Sequence, residues 1–321
     1  MEIVITLLII LLTSIVIYYA GNYFAESSSK IGDHLRLPRS VKGATFDAIA
    51  SSFPELLVAL FSVVFFQKFE VGIGTIAGSA LFNLLVIPGI SVLVAPVVFK
   101  VSKKVISRDA IFYIIAVFVL VVISFYFKSW GTGIALVLLS VYLFYLFKIM
   151  KDSIIYRRKV KKVKKSEKIG KEILIFLSTM LIMGIATYFL TQQSIILSEI
   201  LKVSPIVIAF TITAAATSIP DTVISVVNAK KGDISDATSN VFGSNIFDIC
   251  IGLGLPLLIY TTLKGSIQIL FTHTEILFGL LGTTIMVLYF FAEDEKLNKK
   301  QGWFLLFLYI FFITYTIILS K

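Results

Sequence analysis

The chain has 321 residues, 58% hydrophobic and only 15% charged, with a mean hydropathy of +0.96. A soluble globular domain carries about 25% charged residues, so a water-soluble fold is excluded and a bilayer is the expected solvent. One cysteine (Cys250) and two distant histidines (His34 and His273, both expected in loops) exclude a disulfide framework, a thiolate cluster and a zinc spacing, while the net charge of +10 reads as membrane orientation rather than nucleic-acid binding.

The chain starts Met1-Glu2, with neither a basic n-region nor a small-residue cleavage site, so residues 3–20 read as a retained first span. A spanning helix needs roughly 20 apolar residues. Segments at about 3–21, 41–66, 72–98, 110–127, 132–150, 171–190, 204–229, 236–262, 275–292 and 302–319 qualify. The expected fold is therefore an all-α polytopic membrane protein of ten transmembrane helices. With the N-terminus outside, the inner segments hold 24 Lys and Arg and the outer ones 5. That asymmetry places both termini outside a cell membrane and the basic 148–172 stretch in the cytoplasm. The stretch is either a solvated topology signal or a helix extension lying on the anionic inner leaflet.

Cutting at this stretch divides the chain into 1–150, a linker 151–170, and 171–321, with five spans on each side. An odd number of spans makes the second half enter the membrane from the opposite face. The halves are also alike in sequence. Residues 43–55, GATFDAIASSFPE, align with 209–221, AFTITAAATSIPD, and 78–83, GSALFN, with 243–248, GSNIFD. Inverted repeats build many secondary transporters, with the ion site at the bilayer midplane where the repeats meet.

Acids inside a membrane are costly and point to function. Of 19 acidic residues, Asp47, Glu55, Asp221 and Asp248 fall well inside predicted spans. Glu55 matches Asp221 across the repeat, and Asn83 matches Asp248. Each of the first pair follows a proline, Pro54 or Pro220, which frees a carbonyl one turn earlier, at Ala50 or Ser51 and at Ala216 or Thr217. Ser51 and Glu55, Thr217 and Asp221, Ser79 and Asn83, and Ser244 and Asp248 are each four apart, so each pair shares a helix face. Ser52 and Ser218 add further hydroxyls. Gly78 and Gly243 are expected to let helices approach closely. Carboxylate, hydroxyl and carbonyl oxygens without Cys or His suit Ca²⁺ and Na⁺. Three ionised carboxylates balance one Ca²⁺ or several Na⁺ but hardly both, which is the physical basis of exchange.

At these residues the chain resembles the calcium/cation antiporter superfamily, and within it the prokaryotic sodium/calcium exchangers. The resemblance rests on the paired motifs GATFDAIASSFPE…GSALFN and TSIPD…GSNIFD. It implies ten helices with four around the site, and exchange of three Na⁺ for one Ca²⁺ as the first and sixth helices slide against the rest. It also implies Glu55 and Asp221 as shared ligands, with Ser51 and Thr217 adding oxygens and Asn83 and Asp248 completing a middle position. Ser79, Ser244 and the carbonyls of Ala48 and Ala214 would line flanking Na⁺ positions.

Three features depart from the family pattern. Asp221 stands where prokaryotic members carry glutamate and resembles the potassium-dependent branch, and Ala50 and Ala216 replace glycines. Asp47, opposite Thr213, is an extra acid, either part of ion passage or proton coupling or a structural acid at the helix mouth. Asp233 and Asp236 read as entrance-loop acids. No nucleotide loop, nucleophile elbow or hydrolase spacing suggests an enzyme or a cofactor. The fold has no evident need of a partner subunit beyond lipid and transported cations. Proton-coupled divalent-cation exchange and a passive cation channel are the alternatives. A channel has no need of antiparallel symmetry, and a membrane scaffold has no need of matched acids.

Overall fold

The computed structural model describes residues 1–35, 48–96, 99–100, 105–156, 169–231, 234–269, 274–294 and 296–319. Twelve helical segments follow in chain order: α1 (Glu2–His34), α2 (Ala48–Val64), α3 (Phe69–Val94), α4 (Ile111–Tyr126), α5 (Thr132–Tyr156), α6 (Ile169–Leu201), α7 (Pro205–Ile208), α8 (Ala214–Lys231), α9 (Ile234–Phe247), α10 (Gly254–Lys264), α11 (Thr274–Asp294) and α12 (Lys299–Leu319). Three π-helical stretches join or precede them, at Val105–Ala110, Ala209–Thr213 and Asp248–Gly252. Among the described residues, eight helices are long and apolar enough to cross a membrane, and two shorter apolar ones are Ala48–Val64 and Pro205–Ile219.

Composition explains where each helix sits. In α3, which is apolar all round, 83% of the spanning window is buried, as a central helix requires. It packs against α2, α8 and α12. For α1 only 22% is buried, and Leu7, Leu8, Leu11 and Leu12 face outward. In water that surface would be an aggregation hazard. In hydrocarbon it is the proper solvent contact. The main packing partner of α1 is α6, and this pair leans on α2 and α8. Both helices outrun the predicted spans of 3–21 and 171–190, because polar serines and charges at their ends continue the helix beyond the apolar stretch. His34, expected in a loop, instead closes α1.

Two short antiparallel ladders join distant parts of the chain. β1 (Phe99–Lys100) pairs with β4 (Lys296–Leu297), Phe99 opposite Leu297. β2 (Ser129–Trp130) pairs with β3 (Ile267–Gln268), Trp130 opposite Ile267. β3 begins 168 residues after β1, and β4 begins 167 after β2. Trp130 is fully buried and its indole N–H donates to the Phe127 carbonyl at 3.1 Å, which anchors the second ladder.

A candidate cation site between four helices

Two stretches of the first half, α2 and α3, meet two stretches of the second, α8 and the α9–π segment. Ser51, Ser52 and Glu55 project from α2, and Ser79 and Asn83 from α3. Thr217, Ser218 and Asp221 come from α8. Ser244 comes from α9, and Asp248 opens the π stretch. All ten are buried. Pro54 lies inside α2 without ending it, so its missing N–H acts within a continuous helix. Pro256, two residues into α10, likewise cannot donate to the carbonyl four residues back, at the close of the π stretch. Such π stretches recur at functional sites because the wider turn displaces the backbone ladder.

The hydroxyl contacts come in matched pairs. Ser52 Oγ lies 2.8 Å from Ser244 Oγ, and Ser218 Oγ donates to Ser79 Oγ at 2.9 Å. Ser79 donates to Glu55 Oε1 at 3.3 Å, and Ser244 to Asp221 Oδ2 at 3.4 Å. Ser51 donates to the Ala48 carbonyl at 3.3 Å, and Thr217 to the Ala214 carbonyl at 3.1 Å. Each carbonyl keeps a second lone pair for another partner. Every first-half residue in these pairs aligns with its second-half counterpart in the sequence repeat.

What these contacts leave over is acceptor oxygen. Glu55 Oε2, Asn83 Oδ1, Asp221 Oδ1 and both Asp248 oxygens are buried without a hydrogen-bond partner among the described residues. The three carboxylates feel one another: Glu55 interacts with Asp221, and Asp248 with both. Thr217 faces Glu55, Ser51 and Asn83 face Asp221, and Ser52 and Ser79 face Asp248. Buried acceptors without donors are expensive, and like charges compound the cost. A cation removes both penalties. Among the described residues, no three Asp, Glu, His or Cys side chains lie close enough to share one ion. An ion held there would take carboxylate oxygens together with hydroxyl and amide oxygens, the hard-ligand mixture that suits Ca²⁺ and Na⁺.

The structure corrects one expectation and adds two residues. Gly78 does allow a close crossing, since a Cβ there would stand 2.2 Å from the Phe210 carbonyl oxygen. Gly243 shows none among the described residues, where its nearest neighbour is the Tyr145 hydroxyl at 3.7 Å, an ordinary contact. Sequence reasoning passed over Asn245, whose amide bonds Asn83 and the Ala80 carbonyl. Its only signal is that GSN in the second motif stands against GSA in the first. It also passed over Asp109, one residue ahead of the predicted 110–127 span. Asp109 is fully buried, bound through both oxygens by Arg108 (2.6 and 3.1 Å) and contacted by the Tyr145 hydroxyl at 3.3 Å. Asp47, Asp233 and His273 lie outside the described residues, as does the Asp236 side chain. Thr213, the counterpart of Asp47, donates to Ser194 Oγ at 2.8 Å.

Fold and site define a polytopic helical membrane protein with a buried, donor-poor acidic centre. The sodium/calcium exchanger protein family matches the chain over residues 5–151 and 171–318. The chain belongs to that family, one of transporters rather than enzymes. An uncharacterised membrane protein of Methanocaldococcus jannaschii is 27% identical over 305 residues, 94% of each chain. Human sodium/potassium/calcium exchanger 3 is 40% identical over 141 residues, 42% of this chain and 21% of that protein. The match thus spans about a fifth of the mammalian relative. The solved structure of the sodium-calcium exchanger NCX_Mj superposes with a TM-score of 0.67 at 24% identity, covering 97% of this chain and 98% of that one.

Proposed function

We propose that this chain is a secondary-active antiporter that exchanges Ca²⁺ for Na⁺, with or without K⁺, by alternating access. Ser51, Glu55, Ser79, Asn83, Thr217, Asp221, Ser244 and Asp248 supply the side-chain ligands, and Ala48 and Ala214 the carbonyls. The observation that carries the reading is the set of unpartnered buried oxygens on Glu55, Asn83, Asp221 and Asp248, drawn from both halves of the chain. An empty site of this charge is poorly suited to crossing an apolar barrier, whereas bound cations offset it, three Na⁺ fully and one Ca²⁺ to within a single charge. That asymmetry couples the two flows. Membership of the exchanger family and the exchange activities for which the relatives are named support it.

The accompanying architecture is ten spans arranged as two inverted five-helix repeats, 1–150 and 171–321, joined by a cytoplasmic basic linker, 151–170, with both termini outside the cell membrane. Supporting this reading, each ladder pairs a strand from one half with a strand from the other, and the offsets of 167 and 168 residues between corresponding strands track the repeat. The paired serine contacts support it as well. A single chain carries the whole proposed site.

The test is ⁴⁵Ca²⁺ uptake into proteoliposomes under imposed Na⁺, K⁺ or H⁺ gradients. Uptake is expected with an outward Na⁺ gradient, and uptake driven only by a pH gradient overturns the sodium assignment. Glu55→Gln and Asp221→Asn should each abolish exchange. Full activity in either variant removes that residue from the site.

A further inference from the structure

Asn245 has no ligating counterpart in the first half, where its place is taken by Ala80. The two residues nevertheless touch: Asn245 Nδ2 donates to the Ala80 carbonyl at 3.1 Å. A carbonyl can only accept, so the end of the Asn245 amide that faces it must be the N–H₂ end. The two ends of an amide are told apart by their partners, and here the partner leaves no choice. Asn245 Oδ1 therefore points the other way, where it accepts from Asn83 Nδ2 at 3.1 Å. That contact fixes Asn83 in turn. With its N–H₂ group turned to Asn245, to Ser79 (3.5 Å) and to the Asp221 carboxylate, Asn83 is left with Oδ1 buried and without a partner among the described residues. A polarity that starts at one backbone carbonyl is thus passed through two amides and ends as a buried, unpartnered lone pair. Reversed, Asn83 would present two N–H donors to an incoming cation and repel it.

The relay is braced from behind. Tyr113 of α4 is fully buried, its hydroxyl accepts from Thr284 of α11 at 3.4 Å, and it interacts with the Asn245 amide and with the Asp248 charge. Its ring packs on Phe242 with centroids 5.8 Å apart, which restricts the hydroxyl to this place. Helices outside the four that carry the proposed ligands thereby hold the amide in position.

We propose that Asn245 is a positioning residue that holds the carbonyl oxygen of Asn83 towards the transported cation, with Tyr113 as its brace. The inference rests on the cation-exchange reading above. It makes Asn83 an oxygen ligand only in the presence of Asn245, and it confines this device to one half of the repeat.

Equilibrium ⁴⁵Ca²⁺ binding to the purified full chain tests it, in two backgrounds. Asn245→Ala is expected to weaken binding on the order of tenfold, as loss of a ligand-orienting partner does. In an Asn83→Asp background a carboxylate offers an oxygen whichever way it turns, so the same change should cost less than about twofold. Equal losses in both backgrounds overturn the positioning role and make Asn245 a packing residue. No loss in either, or no ⁴⁵Ca²⁺ binding by Asn83→Asp alone, overturns it too. Tyr113→Phe removes one hydroxyl at nearly constant volume and serves if Asn245→Ala does not fold; it should weaken binding about threefold in the Asn83 background only. If the unsubstituted chain itself binds no ⁴⁵Ca²⁺, the exchange reading falls and this inference with it. If it binds and the backgrounds behave alike, only the positioning role falls.

Discussion

Glu55 and Asp221 hold matched positions but differ by a methylene, and Asn83 and Asp248 match in place but differ in charge. Backbone symmetry therefore carries an asymmetric set of proposed ligands. A second buried acid follows different rules. Both Asp109 oxygens are engaged by Arg108 and Tyr145, whereas both Asp248 oxygens are without a hydrogen-bond partner among the described residues. Its work is structural. Asp109→Asn removes a charge that Arg108, whose side chain is 11% exposed, depends on. The expected cost is about 2–3 kcal/mol, the range for breaking a buried charge-assisted contact. A lower midpoint of thermal unfolding in detergent, with the apparent Ca²⁺ affinity of the folded fraction unchanged, is the expected result. A changed affinity at unchanged stability would place Asp109 in transport instead.

At the scale of elements, close approach decides what can be substituted. Helix α3 crosses the Ala209–Thr213 π stretch at Gly78, where an added Cβ would meet the Phe210 carbonyl at 2.2 Å and the Ala214 Cβ at 2.6 Å. Backbone cannot yield as a side-chain tip can, so Gly78→Ala must push α3 away from its neighbour. It should lower the yield of folded protein and the unfolding midpoint sharply, by several degrees or more. Gly243→Ala, in the aligned position of the second motif, should fold normally, as size-exclusion chromatography can read directly. The repeat made these two glycines look equivalent in sequence. Their difference arises from the Phe210 and Ala214 backbone region that crosses at Gly78, while among the described residues only the Tyr145 hydroxyl comes near Gly243, and no local pattern connects either glycine to its neighbour. The π stretches were illegible for the same reason. They depend on crowding between helices, whereas the apolar run that marks a span reads the same for α and π geometry.

At the scale of the whole molecule, α1 and α6 pack chiefly on each other, and the ladders tie the remaining helices of the two halves together. Sliding of the α1–α6 pair as a unit against a frame, which the family resemblance implies, fits that arrangement. Lys68, in the α2–α3 turn, pairs with Glu199 near the end of α6 at 2.7 Å and so bridges frame and pair on one face. Exposed ion pairs of this kind contribute little to stability and break readily. Replacing Ser129 and Gln268, a registered pair of the second ladder, by cysteines should permit an oxidative cross-link that leaves exchange intact. Cysteines at Lys68 and Glu199, whose side chains meet only at their tips, should be bridged by a reducible bifunctional thiol reagent that spans the gap, and the bridge should stop exchange, with recovery on reduction. The native Cys250 is buried and does not compete. Arrest by the ladder cross-link, or continued exchange with the other, would reverse the assignment of frame and moving pair.

By itself the sequence determined the solvent, the helical class, the internal repeat and the residues worth suspecting. These follow from local quantities: a run of apolar residues long enough for hydrocarbon, acids placed within it, and motifs recurring at a fixed offset. The suspected residues Ser51, Ser52, Glu55, Ser79, Asn83, Thr217, Ser218, Asp221, Ser244 and Asp248 do come together between the same four segments. Tertiary structure alone decided which of their oxygens remain unpartnered, because a hydrogen bond between Ser52 and Ser244 spans 192 residues and leaves no trace in either motif. It alone separated Asp109, paired with Arg108, from Asp248, whose buried oxygens have no hydrogen-bond partner within normal distance among the described residues. It alone brought Asn245 to the Ala80 carbonyl, so that the polarity of one amide sets the polarity of the next. Identity and spacing are properties of the chain, whereas the direction of a donor or a lone pair depends on its surroundings.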